Sequence, residues 1–347
     1  MNIKDFNPSS AADTNSGIYG LPHDEEHASI VLIPVEWEAT VSFQGGASSG
    51  PSEILSASYQ VDLCHHDFPE LWKAGIWMDK FPEHLIKIAN DAKNDASKII
   101  KAIENGEQTE SQKEFDELYE SVLLKCETLN NWVENRITHW KSAGKIVGIV
   151  GGDHSTPLGY LQYLSRTGPE FGILTVDAHM DLRGAYEGFK YSHASIFYNA
   201  LQLPGITKLV QVGIRDYCHD EIDIVKENEE RIKIFFDRDN KSVQLEGTPW
   251  SKIVNQIINC LPENVYISID IDGLDPKLCP NTGTPVPGGL EFEEAVYLLN
   301  AVLKSGKKVV GFDLCEVAGD QTGLWDGSVG ARLLYQLCGV TYYSQKN

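Results

Sequence analysis

Val265-Tyr266-Ile267-Ser268-Ile269-Asp270-Ile271-Asp272-Gly273-Leu274-Asp275-Pro276 is the stretch that decides the fold. Its first half is too short for a helix and rich in β-branched residues, which marks a buried strand. Its second half turns acidic where the strand ends. Two other stretches share this layout. Ile146–Val150 runs into Gly151-Gly152-Asp153-His154-Ser155, and 172–176 runs into Asp177-Ala178-His179-Met180-Asp181. Apolar runs at 30–35, 209–214, 232–236 and 309–314 also read as strands. Helical stretches lie between them, for instance at 155–165, 193–203, 248–260, 291–305 and 327–338. Strand–helix alternation predicts an α/β fold: a central parallel sheet flanked by helices on both faces, three layers in all. In such sheets sites form at the carboxyl ends of the strands, where all three acidic clusters fall.

Residues 60–142 break the rhythm and show no strand. A helix over 83–105 carries Leu85, Ala89, Ala92, Ala96, Ile99, Ile100 and Ile103, and Gly106 stops it. Thr109 has capping-box spacing to Gln112. The next helix places Phe115, Leu118, Tyr119, Val122, Cys126, Leu129, Val133, Ile137 and Trp140 at steps of three and four, up to Gly144. The expectation is a single domain over 1–347 with a helical insertion at about 61–142. A separate helical domain is the rival, but no Pro/Gly/Ser linker marks its boundary.

Composition narrows the function. The chain has 347 residues, and 29 basic against 50 acidic residues give a formal charge of 29 − 50 = −21. Hydrophobic residues at 42% and charged residues at 23% describe a folded globular chain, not a disordered one. The acidic surface disfavours nucleic acid and anionic membranes as partners. No apolar run approaches the ~18 residues that span a bilayer, and the first residues do not resemble a signal peptide. Seven scattered cysteines without a CxxC pair suit free thiols in a reducing cytoplasm, and speak against a thiolate zinc site.

In extended chain, side chains alternate faces, so Asp177, His179 and Asp181 can point one way, and Asp270 and Asp272 likewise. Four carboxylates converging in a sheet crevice repel one another, and unpaired buried charge is costly. Two divalent cations would cancel it, held ~3.5–4 Å apart by carboxylate bridges. Oxygen ligands with two imidazoles suit Mn²⁺, with Ni²⁺ or Co²⁺ as alternatives. Each cluster alone has a bland explanation: a solvated turn, a helix cap, a satisfied loop histidine. Their shared order, each after an apolar run, outweighs those explanations.

GGDHS, DAHMD and SIDIDGLDP resemble, in order, the three signatures of the ureohydrolases: arginases, agmatinases, formiminoglutamases and guanidino-acid or guanidine hydrolases. Gly45-Gly46-Ala47-Ser48-Ser49-Gly50-Pro51 is similar to that family's glycine-rich loop. Thr282-Gly283-Thr284-Pro285-Val286-Pro287-Gly288-Gly289-Leu290 is similar to its substrate loop, and Asp313-Leu314-Cys315-Glu316-Val317 to its guanidinium-binding strand end. The likeness covers roughly 29–60 and 143–338. It implies an arginase-like three-layer fold and a binuclear metal centre. One metal would take His154, Asp177, Asp181 and Asp270. The other would take His179, Asp177, Asp270 and Asp272, with Asp177 and Asp270 bridging. It further implies that Asp181 acts in catalysis, that His193 binds substrate or shuttles protons, that Glu316 pairs with the guanidinium, and that Thr284 contacts substrate. The assembly would be a homotrimer or homohexamer.

The chemistry accounts for these roles. A guanidinium carbon is a poor electrophile, so attack needs metals that lower the pKa of bound water. A carboxylate such as Glu316 orients the planar NH fork through charge-assisted hydrogen bonds. The leaving amine needs a proton, and a histidine titrates in the useful range. Departures bear on the substrate. Residues 182–189, Leu-Arg-Gly-Ala-Tyr-Glu-Gly-Phe, do not match the loop by which arginases hold the α-amino and carboxylate groups. His193 in Ser192-His193-Ala194-Ser195 favours the agmatinase-like branch. Trp325 is read either as an aromatic closing a small cavity over a planar cation or as core. The expected activity is hydrolysis of a small guanidine compound, agmatine-like or free guanidine, to urea or ammonia and an amine. Formiminoglutamase or arginase activity is the alternative within the family. A deacetylase-like amidohydrolase and a non-catalytic metal-binding homologue are the alternatives outside it.

Overall fold

In the computed structural model, residues 6–106, 112–319 and 324–346 are described. Eight strands form one sheet: β1 Ile30–Pro34, β2 Ile76–Met78, β3 Ile146–Val150, β4 Phe171–Val176, β5 Ile206–Ile214, β6 Ile232–Phe236, β7 Asn264–Asp270 and β8 Lys308–Cys315. Their order is β2-β1-β3-β8-β7-β4-β5-β6, and every pairing is parallel. Parallel neighbours need crossovers, and helices supply them: α1 Gly50–Ser58, α2 Glu83–Glu104, α3 Gln112–Ser142, α4 Leu158–Thr167, α5 Ile196–Ala200, α6 His219–Glu227, α7 Asp237–Leu245, α8 Trp250–Cys260 and α9 Phe292–Lys304, with α10 Trp325–Ser344 after the last strand.

The three layers follow from the pleat. Consecutive strand residues face opposite ways, so each strand feeds two cores. Leu32, Val150, Leu174, Val210, Ile267 and Leu314 pack with α1, α8, α9 and α10. Val31, Ile33, Ile149, Ile173, Leu209 and Tyr266 pack with α2, α3, α4 and α5 on the other face. Strands buried on both sides carry no polar alternation, which is why they read as continuous apolar runs.

The region expected to be strandless differs. β2 lies within 61–142 and pairs with β1 through Ile30↔Ile76, Val31↔Trp77 and Leu32↔Met78. Three residues on a sheet edge are too few to leave a periodic signal. The two long helices of that region are continuous with the sheet's helical layer: Leu85, Ile99, Val122 and Val133 join Val31 and Ile149 in one core. Thr109 lies outside the described residues. The strand read at 265–271 ends at Asp270, where a 3-10 turn over Ile271–Gly273 begins.

Candidate functional site

Four adjacent central strands, β3, β8, β7 and β4, send their carboxyl ends to one place. His154 follows β3, Glu316 follows β8, Asp270 ends β7 with Asp272 beyond it, and Asp177, His179 and Asp181 follow β4. The turns are tight. A Cβ on Gly152 would overlap the carbonyl oxygen of Trp37, so glycine lets the β3 loop lie against that backbone. The Gly152 carbonyl accepts from Glu316 N at 2.8 Å. Asp181 and Glu316 hold φ of 53° and 62°, a left-handed backbone that disfavours both residues. Partners hold them there. Phe197 N donates to Asp181 O at 3.1 Å, and Thr282 Oγ1 donates to Glu316 O at 2.9 Å.

Two groups of ligand-type atoms result. In the inner one, His154 Nδ1 lies 3.1 Å from Asp177 Oδ2, 3.2 Å from Asp181 Oδ2 and 3.3 Å from Asp270 Oδ2. Its other nitrogen is committed. Ser268 Oγ donates to Asp313 Oδ1 at 3.0 Å, so at 2.8 Å it accepts from His154 Nε2–H. That relay selects the tautomer whose Nδ1 lone pair faces three carboxylates. Lone pair against carboxylate is repulsive unless a proton or a cation stands between them. In the outer group, His179 Nδ1 lies 3.0 Å from Asp272 Oδ2, and His179 N donates to Asp177 Oδ1 at 2.6 Å. Ala178 N and Thr284 Oγ1 donate to the two Asp272 oxygens at 3.0 and 3.4 Å. Asp177 turns one oxygen to each group. Asp270 turns Oδ2 to His154 and accepts from Asp272 N through Oδ1 at 2.9 Å.

The electrostatics match this crowding. Burial, reinforced by the Asp181 charge, pushes Asp177 up to about 7. Burial, with Asp272 and Asp177 beside it, raises Asp270 as well. Burial works against a charged His179, but the Asp272 carboxylate overrides it and lifts His179 to about 11. Burial likewise opposes a charged His154, and the carboxylates facing it, Asp177 first, raise it. Positive charge is therefore what the cluster requires.

The donor set fits divalent cations. Buried His154 Nδ1 and Asp177 Oδ2 make no hydrogen bond. His154–Asp177–Asp181 and Asp177–His179–Asp272 each bring ligand atoms within 4.8 Å of one another. A third grouping, His154–Asp313–Cys315, lies on the Nε2 side. There burial pushes the Cys315 thiol up, which keeps it protonated, and the group is explained by the relay.

Above the cluster opens a cleft of about 160 Å³, lined among others by His193, Thr284, Glu316, Arg183, Tyr186 and Asp216. Glu316 Oε1 accepts from His154 N at 2.9 Å, and burial followed by the Asp153 charge raises its pKa. His193 lies at 80° to the Tyr186 ring with centroids 6.0 Å apart, and burial lowers it to about 4. Trp325 stands elsewhere: half-exposed at the start of α10, its Nε1–H donates to Lys277 O at 3.0 Å, and it does not line the cleft. The reading of Trp325 as an aromatic over the substrate is corrected accordingly. The aromatic beside His193 is Tyr186, from a loop noted in the sequence only for what it lacks. Ser268 was also missed, although it sits two residues before Asp270 and so shares its face of the strand.

A profile of the Arginase family matches residues 28–339. The chain belongs to the arginase family. Within it, the similarity is to the agmatinase-like ureohydrolases. An N(1)-aminopropylagmatine ureohydrolase of Thermus thermophilus is 32% identical over 316 residues, 91% of each chain. The proclavaminate amidinohydrolase of Streptomyces clavuligerus is 26% identical over 330 residues, 91% of each. Among solved structures, the agmatine ureohydrolase of Thermoplasma volcanium superposes with a TM-score of 0.69 at 23% identity, covering 99% of this chain and 97% of that one. Arginase-family folds therefore include this three-layer sheet. No described helix is long and apolar enough to cross a membrane.

Proposed function

We propose that this arginase-family chain is a two-metal amidinohydrolase that hydrolyses the guanidinium group of a small guanidine compound. The observation that carries the reading is the inner and outer clusters, sharing Asp177, beneath a cleft that also holds Glu316 and His193. His154, Asp177, Asp181 and Asp270 would hold one ion, and His179, Asp177, Asp270 and Asp272 the other. Mn²⁺ suits these donors, with Ni²⁺ or Co²⁺ as alternatives. When bound, the ions would supply an activated water at neutral pH.

The chain's own residues do the rest. Glu316, anchored through Oε1 to His154 N, meets the guanidinium with its carboxylate and orients the planar carbon over the cluster. A cation in contact with Glu316 favours its ionised form, opposing the burial that raises it. His193 stands at the cleft wall, positioned to pass a proton to the leaving amine. Thr284 holds Asp272 and reaches the same cleft. Agmatine-like or free guanidine substrates fit better than arginine, because 182–189 carry no recognisable arginase-type loop for an α-amino acid tail. The names of the relatives, which include agmatinases, agree with that branch. A homotrimer or homohexamer is part of the same reading.

The test is a parallel assay of metal-loaded protein on agmatine, free guanidine, arginine and formiminoglutamate, with Glu316→Gln as the variant. Agmatine or guanidine should lead. Glu316→Gln should lose at least about tenfold in kcat/KM with its metals retained. Preferred hydrolysis of arginine or formiminoglutamate would overturn the substrate assignment.

A further inference from the structure

The loop that forms the cleft wall beside His193 has an unusual backbone. Tyr186-Glu187-Gly188-Phe189 is a tight turn: Phe189 N donates to Tyr186 O at 2.8 Å, and Tyr186 N to Phe189 O at 3.3 Å. Glu187 and Gly188 have φ of 51° and 86°. Two successive positive φ values characterise a type I′ turn, whose first central position favours Asn, Asp or Gly. Glutamate there is strained and persists only where something holds it.

What holds it comes from α3. Tyr119 Oη donates to Glu187 O at 2.8 Å. The Tyr119 ring lies flush on the turn, so that a Cβ on Gly188 would stand 2.6 Å from its Cε1. It also meets the Phe189 ring at a centroid distance of 5.3 Å. On the cleft side the same turn carries Tyr186, its ring at 80° to that of His193 and the Arg183 guanidinium carbon 4.7 Å from its ring centroid. Arg183 N donates to Ala194 O at 3.1 Å, tying the loop to the His193 segment. Behind the turn, between α3 and 188–191, lies a crevice of about 140 Å³. Phe189 roots the turn in the core beside Val122 and Cys126, and Tyr119 backs Glu187 and Gly188.

We infer that Tyr119 is the positioning residue that holds the 183–189 loop as the wall beside the substrate's tail. This rests on the reading that the cleft takes a guanidine. With the guanidinium fixed between Glu316 and the metal cluster, the tail leaves past His193 and meets Tyr186 and Arg183. Recognition of the tail is then set by a helix outside the three signature motifs.

Tyr119→Phe keeps the ring and removes only the hydroxyl. Amide exchange across 182–192 should quicken in this variant and nowhere else. KM for agmatine should rise about two- to tenfold, the range one hydrogen bond spans, more than kcat changes and more than KM for tail-less guanidine. Tyr186→Leu should move the same agmatine-to-guanidine ratio from the cleft side. Unchanged exchange refutes the tether. Quickened exchange with an unchanged ratio in both variants refutes the wall. A wild-type chain that hydrolyses neither compound sinks the substrate assignment and the wall with it, while the exchange result still decides the tether.

Discussion

His154 and His179 both turn Nδ1 towards carboxylates, but their surroundings differ. The His154 side chain is 1% exposed, with its far nitrogen locked by Ser268 and Asp313. The His179 side chain is 24% exposed, and its far nitrogen has only Asp216 Oδ2 at 3.9 Å, a residue itself 67% exposed. The inner position is preorganised and more deeply buried, while the outer one is more open to the cleft. A fixed imidazole loses no freedom on taking a cation, and its charge is screened less than an exposed one. The two positions should therefore hold metal unequally, the inner one more tightly.

Removing what the two positions share gives the largest effect. Asp177→Asn should weaken both ions and lower turnover by about a thousandfold or more, because the carboxylate faces both groups. Metal analysis after dialysis, with a urea-release assay, reads both. Loss at one position only would show that Asp177 does not bridge.

Removing what the positions do not share should separate them. Ser268→Ala breaks the relay, frees the His154 tautomer and should weaken the inner ion about 10–100-fold with little effect on the outer. Competitive metal titration measures this. Equal weakening of both sites would erase the contrast.

Acid should act from the cleft side. Burial lowers His193 to about 4, so the folded chain favours the neutral ring. The unfolded chain takes up that proton near pH ~6.5. Stability from this group is complete above pH ~6.5 and is lost as pH falls towards 4. His193→Asn should flatten that part of the stability curve, seen by denaturant unfolding at several pH values. A variant with the same acid slope as the wild type would place the proton uptake elsewhere.

The smallest effect belongs to the rim. Asp216→Asn should weaken the outer ion by no more than about threefold, since an exposed carboxylate at 3.9 Å contributes little. A loss as large as that from Ser268→Ala would mean the outer position is built as firmly as the inner.

What the sequence showed in advance follows the same division. β3, β4 and β7 were legible because strands buried on both faces are unbroken apolar runs, and the residues following each were legible because local spacing sets which way they point. His154, Asp177, His179, Asp181, Asp270 and Asp272 come together from those local patterns. β2 was not legible, since a three-residue edge strand has no period. The Ser268–Asp313 relay joins residues 45 apart on neighbouring strands, and Tyr119 reaches Glu187 across 68 residues. Such contacts are set by packing, which no local spacing encodes. Trp325 was misplaced for the converse reason: its aromatic chemistry suggested a cation, but the start of α10 turns its indole outward to Lys277.

The most direct measurement is calorimetric titration of metal-stripped protein with Mn²⁺, with urea release from the preferred guanidine followed at each step. The account predicts two ions per chain binding in two resolved steps, the tighter one abolished by His154→Ala and the weaker one by His179→Ala, with hydrolysis rising only on the second. A single ion giving full activity, or two equivalent ions that these variants do not separate, would contradict it.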